Sequence, residues 1–231
     1  MPVEIKDRLP VVNQGEHHVP AVLLVDTSGS MSGKPINDLN QGLVQFYEAL
    51  RQDDLALGRA EVSVISFNSS VNIELGFRPA EEFEAPVMSA GGLTAMNEGI
   101  LKALDEIEMR KQLYREQGVG HYRPWLFVLT DGCPTDDNLE SKAISALRSA
   151  IDNQKVTYMP MGIGAGADLE QLKKYYPENW PTKITLSASK QDFQDAFQWL
   201  SASLSVISHS NPQTQSTVNL PPTPSTLTIG I

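Results

Sequence analysis

The chain has 231 residues and a mass of 25.3 kDa, with 41% hydrophobic residues, enough for one large domain or two small ones with a substantial core. A formal net charge of −10 and a sequence pI of about 4.8 argue against a phosphate-binding surface of clustered Lys and Arg and against anionic lipid, so neither nucleic acid nor a membrane is expected as a partner. The single cysteine, Cys133, rules out an intramolecular disulfide. No apolar run nears the roughly 20 residues of a membrane span, and Met1 to Pro10 lack a signal-peptide core, so a soluble, cytoplasmic protein is expected.

Met1 to Val19 read as an irregular or edge-strand lead-in (1–18), ahead of a body spanning 19–208. The apolar run Ala21–Val25 is a buried parallel strand, and Asp26-Thr27-Ser28-Gly29-Ser30 then falls on the loop at its carboxyl end. Ile36, Leu39, Leu43, Phe46, Tyr47 and Leu50 recur at helical spacing and predict a helix over Pro35–Gln52, with the proline suited to its start. Ala60–Phe67 and Val71–Phe77, separated by the turn Asn68-Ser69-Ser70, predict a hairpin at one sheet edge. A Pro-, Glu- and Gly-rich loop spans Arg78–Leu93. Thr94 opens a helix with Met96, Ile100, Leu101, Leu104 and Ile107 on its apolar face, ending at Gly118–His121. A buried strand at Trp125–Leu129 is closed by Thr130-Asp131-Gly132. A helix over Leu139–Asn153, a strand over Val156–Gly162, a turn at Gly164–Gly166 and a short helix over Leu169–Tyr175 follow. A strand at Thr182–Leu186 and a helix at Gln191–Ile207 complete the body. From His209 the composition turns to Ser, Thr, Asn, Gln and Pro, which points to a flexible tail (209–231), although Leu227, Ile229 and Ile231 could dock as an added strand.

Alternating strands and helices predict an α/β, Rossmann-like fold: an open, mostly parallel six-stranded sheet with one antiparallel edge strand and helices on both faces. Such sheets bind ligands beyond the carboxyl ends of their strands, near the reversal in strand order. Three loops end there. One carries Asp26, Ser28 and Ser30, the second Gly91-Gly92-Leu93-Thr94, and the third Asp131-Gly132. An all-oxygen set of carboxylates and hydroxyls suits a hard cation such as Mg2+, not zinc or copper. The bland reading is that Ser and Gly form ordinary turns and that Thr94 is a helix N-cap.

These five positions together resemble the metal-ion-dependent adhesion site (MIDAS) of von Willebrand factor type A (VWA) domains, and the resemblance runs from about Val19 to Ser208. Within that superfamily the chain is similar to bacterial tellurium-resistance TerY-like proteins at Asp26–Ile36, Leu129–Asp137, Gly162–Leu172 and Phe197–Ser205. The resemblance implies that Ser28 and Ser30 ligate a cation directly beside Asp26. It makes Thr94 a ligand in the ligand-competent state, and Asp131 a ligand either directly or through water. Mg2+ is the implied metal, with Mn2+ or Ca2+ as substitutes. One coordination position is left for a partner's Asp or Glu. It further implies an accessory role in tellurite and chemical-stress resistance, with phosphatases or kinases among the partners. One position departs from the subfamily pattern: Leu93 stands where a glycine is expected before the threonine.

Other residues invite sharper readings that the sequence does not favour. Asp136 and Asp137 are expected to cap the helix near Leu139, and Asp53-Asp54 to sit on a solvated helix end. His17-His18 is expected to be solvent exposed rather than a metal pair. Cys133, with no histidine near it in sequence, is expected in a partly buried loop rather than as a nucleophile. Gly162–Gly166 is a turn rather than a phosphate cradle. The leading functional expectation is a non-enzymatic module that captures an acidic side chain through the metal. The rivals are a metal-dependent phosphohydrolase with Asp26 as nucleophile, which lacks the usual second acid because that position is Ser28, and a structural domain with a vestigial site.

Overall fold

The computed structural model describes residues 11–163, 167–180, 185–188, 193–211, 219–222 and 227–230. Among them lie seven strands, β1 (Val19–Asp26), β2 (Ala60–Phe67), β3 (Val71–Pro79), β4 (Trp125–Thr130), β5 (Thr157–Ile163), β6 (Thr185–Ala188) and β7 (Leu227–Gly230). The helices are α1 (Lys34–Leu50), α2 (Asp54–Arg59), α3 (Met96–Gln117), α4 (Glu140–Asp152), α5 (Leu169–Lys173) and α6 (Phe193–Ser208).

All eight residues of β1 are buried, because both sheet faces are covered. Its side chains alternate accordingly. Val19, Ala21, Leu23 and Val25 join a core with α1 and α6, whereas Val22 and Leu24 join a second core with α3 and α4. The α1 stripe Ile36, Leu39, Leu43, Phe46 and Leu50 fills the first core as its spacing predicts. Helix α1 lies so close to α6 that a methyl group on Gly42 would come within 2.2 Å of Phe197 Cδ2.

The sheet order is β3-β2-β1-β4-β5-β6-β7. Strand β1 pairs in parallel with β2 on one side (Val25↔Ser66) and with β4 on the other (Val25↔Leu129). The chain winds outward from β1 to β2 and β3, and α3 then carries it back across to β4. The reversal therefore falls between β1 and β4, and it opens a crevice at their carboxyl ends.

The six expected strands are present, but the count and the edges need correcting. β7 pairs antiparallel with β6 (Leu186↔Ile229), so the described sheet has seven strands, with an antiparallel strand at each edge. The backbone of β6 offered unpaired groups at the edge, and the tail satisfies them. Elsewhere in the tail, Leu220 packs on the first core, Trp199 Nε1 donates to the Pro221 carbonyl (3.0 Å), and the Tyr122 hydroxyl donates to the Ser210 carbonyl (2.5 Å). The strand expected at Thr182–Leu186 is shifted to Thr185–Ala188, with 181–184 outside the described residues. The turn expected at Gly164–Gly166 also lies outside them.

Helix α2 was not anticipated. It is only six residues long, too short for an apolar period, but Asp53 caps it by accepting from the backbone N–H groups of Leu55 and Ala56 (both 3.1 Å). Asp53 also faces His209 at 3.0 Å, so it is a capping residue rather than a free solvated one. Helix α3 ends at Gly118, whose φ of 67° supplies the left-handed C-cap. No helix among the described residues is long and apolar enough to cross a membrane.

Candidate metal centre

The β1 strand delivers Asp26 to the crevice fully buried (0% exposed). Its carboxylate is held at both oxygens: Oδ1 accepts from the Ser28 N–H (2.7 Å) and Oδ2 from the Thr130 hydroxyl (2.5 Å). Burial raises the Asp26 pKa above its ordinary value. The Ser28 and Thr130 hydrogen bonds oppose this, and the negative charge of Asp131 adds to it. The charge that faces this buried carboxylate is thus a second carboxylate.

After Ser28 the chain makes one 3-10 turn, Gly29–Met31, which swings Ser30 back toward Ser28. The two hydroxyl oxygens lie 3.0 Å apart, and Ser30 Oγ donates to Asp131 Oδ1 at 2.6 Å. Gly29 has a specific purpose here. Its N–H donates to the Gly92 carbonyl (3.1 Å), and a methyl group at Gly29 would lie 3.3 Å from that same oxygen. The Gly91 N–H in turn donates to the Thr27 carbonyl (2.9 Å). The first two loops are therefore laced together along their backbones.

Thr94 is 7% exposed and points into the same corner. A methyl group placed on Gly132 would lie 3.9 Å from Thr94 Oγ1 and 4.0 Å from Ser30 Oγ, so the Thr94 and Ser30 hydroxyls both border the space beside Gly132. Thr94 does not cap α3. The N-cap position is Ala95, which makes no side-chain cap bond. Leu93 fits without strain: the left-handed turn falls on Gly92 (φ 78°), and the Leu93 N–H donates to Ser69 Oγ (2.9 Å). Its side chain is 62% exposed beside Thr94.

Among the described residues no three His, Cys, Asp or Glu side chains converge as a metal-binding group. What does converge is a pair of carboxylates with Ser28, Ser30 and Thr94 hydroxyls around them.

The model of the von Willebrand factor type A domain matches residues 21–199. The chain belongs to this family. A curated relative, inter-alpha-trypsin inhibitor heavy chain H4 of Sus scrofa, is 27% identical over 172 residues, covering 68% of this chain. The chain spans only 17% of that protein's length. Solved structures with the same fold include the pilus adhesin SpaC of Lactobacillus rhamnosus GG in its open conformation (TM-score 0.62, 15% identity, 82% of this chain and 30% of that one). Another is a von Willebrand factor type A protein from Catenulispora acidiphila (TM-score 0.58, 15% identity, 82% and 43%). A third is proximal thread matrix protein 1 of the mussel byssus, solved with a zinc-occupied MIDAS motif (TM-score 0.52, 16% identity, 83% and 47%).

Within this VWA domain, several neighbouring residues differ from expectation. Thr130 reads in the sequence as the first residue of the Thr130-Asp131-Gly132 segment that closes a strand, with no role of its own, yet it is buried and clamps Asp26. Asp136 does not cap the short 3-10 turn Asp137–Leu139 or α4; its carboxylate turns to the start of α3 instead. Asp137 is exposed. Cys133 is exposed rather than partly buried, with Sγ 4.0 Å from Asp168 Oδ2. His17 is exposed, but His18 is fully buried: its ring stacks on Tyr114 (5.8 Å between centroids) and Nδ1 lies 3.4 Å from Glu61. An adjacent pair at a strand entry puts one member inside.

Proposed function

We propose that this VWA domain is a non-enzymatic, metal-dependent protein-binding module whose cation is held by Asp26, Ser28, Ser30, Thr94 and Asp131. One observation carries the reading: Ser28, Ser30 and Asp131 oxygens succeed one another at 3.0 and 2.6 Å in a corner that Thr94 closes. Around Mg2+, with ligands at about 2.0–2.1 Å, adjacent octahedral positions lie about 3.0 Å apart, so hydroxyls already spaced this way need little movement to ligate. A dication held in this corner would offset the repulsion between the buried Asp26 and neighbouring Asp131. Ser28 and Ser30 would ligate directly, Asp26 would support them through its bond to the Ser28 N–H, and Thr94 and Asp131 would close the set.

Two carboxylates neutralise a dication and hydroxyls add no charge. When bound, Mg2+ therefore supplies Lewis acidity toward a partner's Asp or Glu. Mn2+ and Ca2+ are the expected substitutes, and the zinc-occupied relative makes zinc a competitor worth measuring. The phosphohydrolase reading is disfavoured, because both oxygens of Asp26 are engaged and Ser28 replaces the required acid. The setting in tellurite and chemical-stress resistance, with a phosphatase or kinase as partner in the cytoplasm, rests on the resemblance of four sequence segments and on composition.

Immobilised chain should retain a protein from the native host in Mg2+ and release it to chelator. Asp131→Ala should retain none. Retention that is indifferent to both chelator and substitution would sink the proposal.

A further inference from the structure

The Thr94 and Asp131 loops are joined by contacts that involve none of the five site side chains. Beyond Asp131 the chain runs Gly132-Cys133-Pro134-Thr135-Asp136. Thr135 Oγ1 accepts from the Thr94 N–H (3.0 Å), and the Thr135 N–H donates to the Thr94 carbonyl (2.9 Å). The Asp136 carboxylate then accepts from the N–H groups of Asn97 (3.2 Å) and Glu98 (2.8 Å), two of the otherwise orphaned donors in the first turn of α3. A third bond comes from Asn97 Nδ2 (2.9 Å). Asn97 is itself fully buried, and its Oδ1 accepts from the Tyr175 hydroxyl at 2.5 Å. The N-cap of α3 is thus supplied from another loop, the one that carries Asp131.

We infer that Asp136 is a positioning residue for the cation. It fixes the N-terminus of α3, and with it Thr94, relative to Asp131. The inference rests on the metal-binding reading above. Its physical basis is that a carboxylate at a helix N-terminus makes charge-assisted bonds favoured by the helix dipole, so this joint is stiffer than a loop–loop contact through water. Local rules assign the first turn of a helix to its preceding residue, but Ala95 has no side-chain acceptor. Asp136 fills that role from 39 residues beyond Asn97, and in doing so ties two parts of one coordination sphere together. Outer-shell supports of this kind typically change metal affinity by about 10–100-fold when removed.

The test is a double-mutant cycle on the full chain, read by calorimetric titration with Mn2+ alone. Asp136→Ala should weaken Mn2+ binding about tenfold. In a Thr94→Ala background the same change should cost less than about twofold, because the ligand it positions is already gone. Asp136→Asn, which keeps an acceptor oxygen for one of the two N–H groups and sets an NH2 against the other, should recover only part of the affinity. If thermal unfolding shows Asp136→Ala unfolded at the titration temperature, Asp136→Ser, too short to reach both N–H groups, takes its place in the cycle. An unchanged affinity, or an equal loss in both backgrounds, overturns the positioning role while leaving the metal site standing. Wild-type chain that takes up no Mn2+ overturns both.

Discussion

Arg110→Met should destabilise the fold by about 3–5 kcal/mol, because it strands a buried carboxylate. Glu61, on β2, and Arg110, on α3, each have side chains only 1% exposed. They form a two-pronged pair, Nε to Oε2 and Nη2 to Oε1, both at 2.6 Å. The Tyr114 hydroxyl also donates to Glu61 Oε2, and His18 Nδ1 lies 3.4 Å from Oε1. Methionine replaces most of the arginine stem, so the loss is chiefly of charge and donors rather than of volume. What remains is a buried anion beside the Tyr114 hydroxyl and the His18 ring, with its guanidinium partner removed. For a chain of this size the loss corresponds to a fall in Tm of about 6–20 °C. The double variant Glu61→Gln, Arg110→Met removes both charges and should cost less than about 2 kcal/mol, since a buried pair is worth little against its own desolvation. Urea unfolding at pH 7 in chelator measures all three. A single-variant loss below about 1 kcal/mol, or a double variant as unstable as the single, would refute the reasoning. Pro20 and Glu61 pair at the amino ends of β1 and β2, away from the candidate metal centre, so Mn2+ affinity should not change in any folded variant.

Two further outcomes follow from packing and from protonation. Gly42→Ala puts a methyl group 2.2 Å from Phe197 Cδ2, and that buried ring is already flanked by Phe46 at 6.2 Å; overpacking should cost about 1–3 kcal/mol in urea unfolding, and a neutral result would mean that α1 and α6 sit further apart. Burial lowers the pKa of His18 and of His121, with the carboxylate of Glu61 opposing and Arg110 reinforcing the shift at His18. Both are therefore neutral in the fold while the unfolded chain takes up protons below about pH 6.5. Their contribution to stability is complete above that pH and is lost as pH falls toward the lowered folded values. His18→Phe, which keeps the stack on Tyr114, should flatten this slope, and a slope equal to wild type would assign it elsewhere.

What the sequence made legible was what local pattern encodes. The runs Ala21–Val25 and Trp125–Leu129 could be read as strands buried on both faces, and the α1 stripe as a helix, because burial and period are local properties. Asp26, Ser28, Ser30 and Asp131 could be expected at one sheet end because they follow parallel strands, whereas Thr94 reaches that end only through the long loop after β3. Partner choice at a distance was not legible. Asp136 reads as a cap for the nearest helix, yet the acceptor-poor Ala95 left α3 to take it. His18 reads as exposed until β2 brings Glu61 and α3 brings Tyr114 against it. Thr130 carries no mark of its own, and its role appears only once β1 and β4 are neighbours. The seventh strand was legible as an alternative in the apolar positions Leu227 and Ile229, which do dock; that β6 is the edge they pair with is not written in the tail's composition.

The most direct test of the metal-binding account is calorimetric titration of the full chain with Mg2+ and with Mn2+, beside the same titration of Asp26→Ala. One site per chain in the wild type, absent or severely weakened in the variant, is the predicted result. No binding by the folded wild-type chain, or binding that Asp26→Ala leaves unchanged, would contradict it.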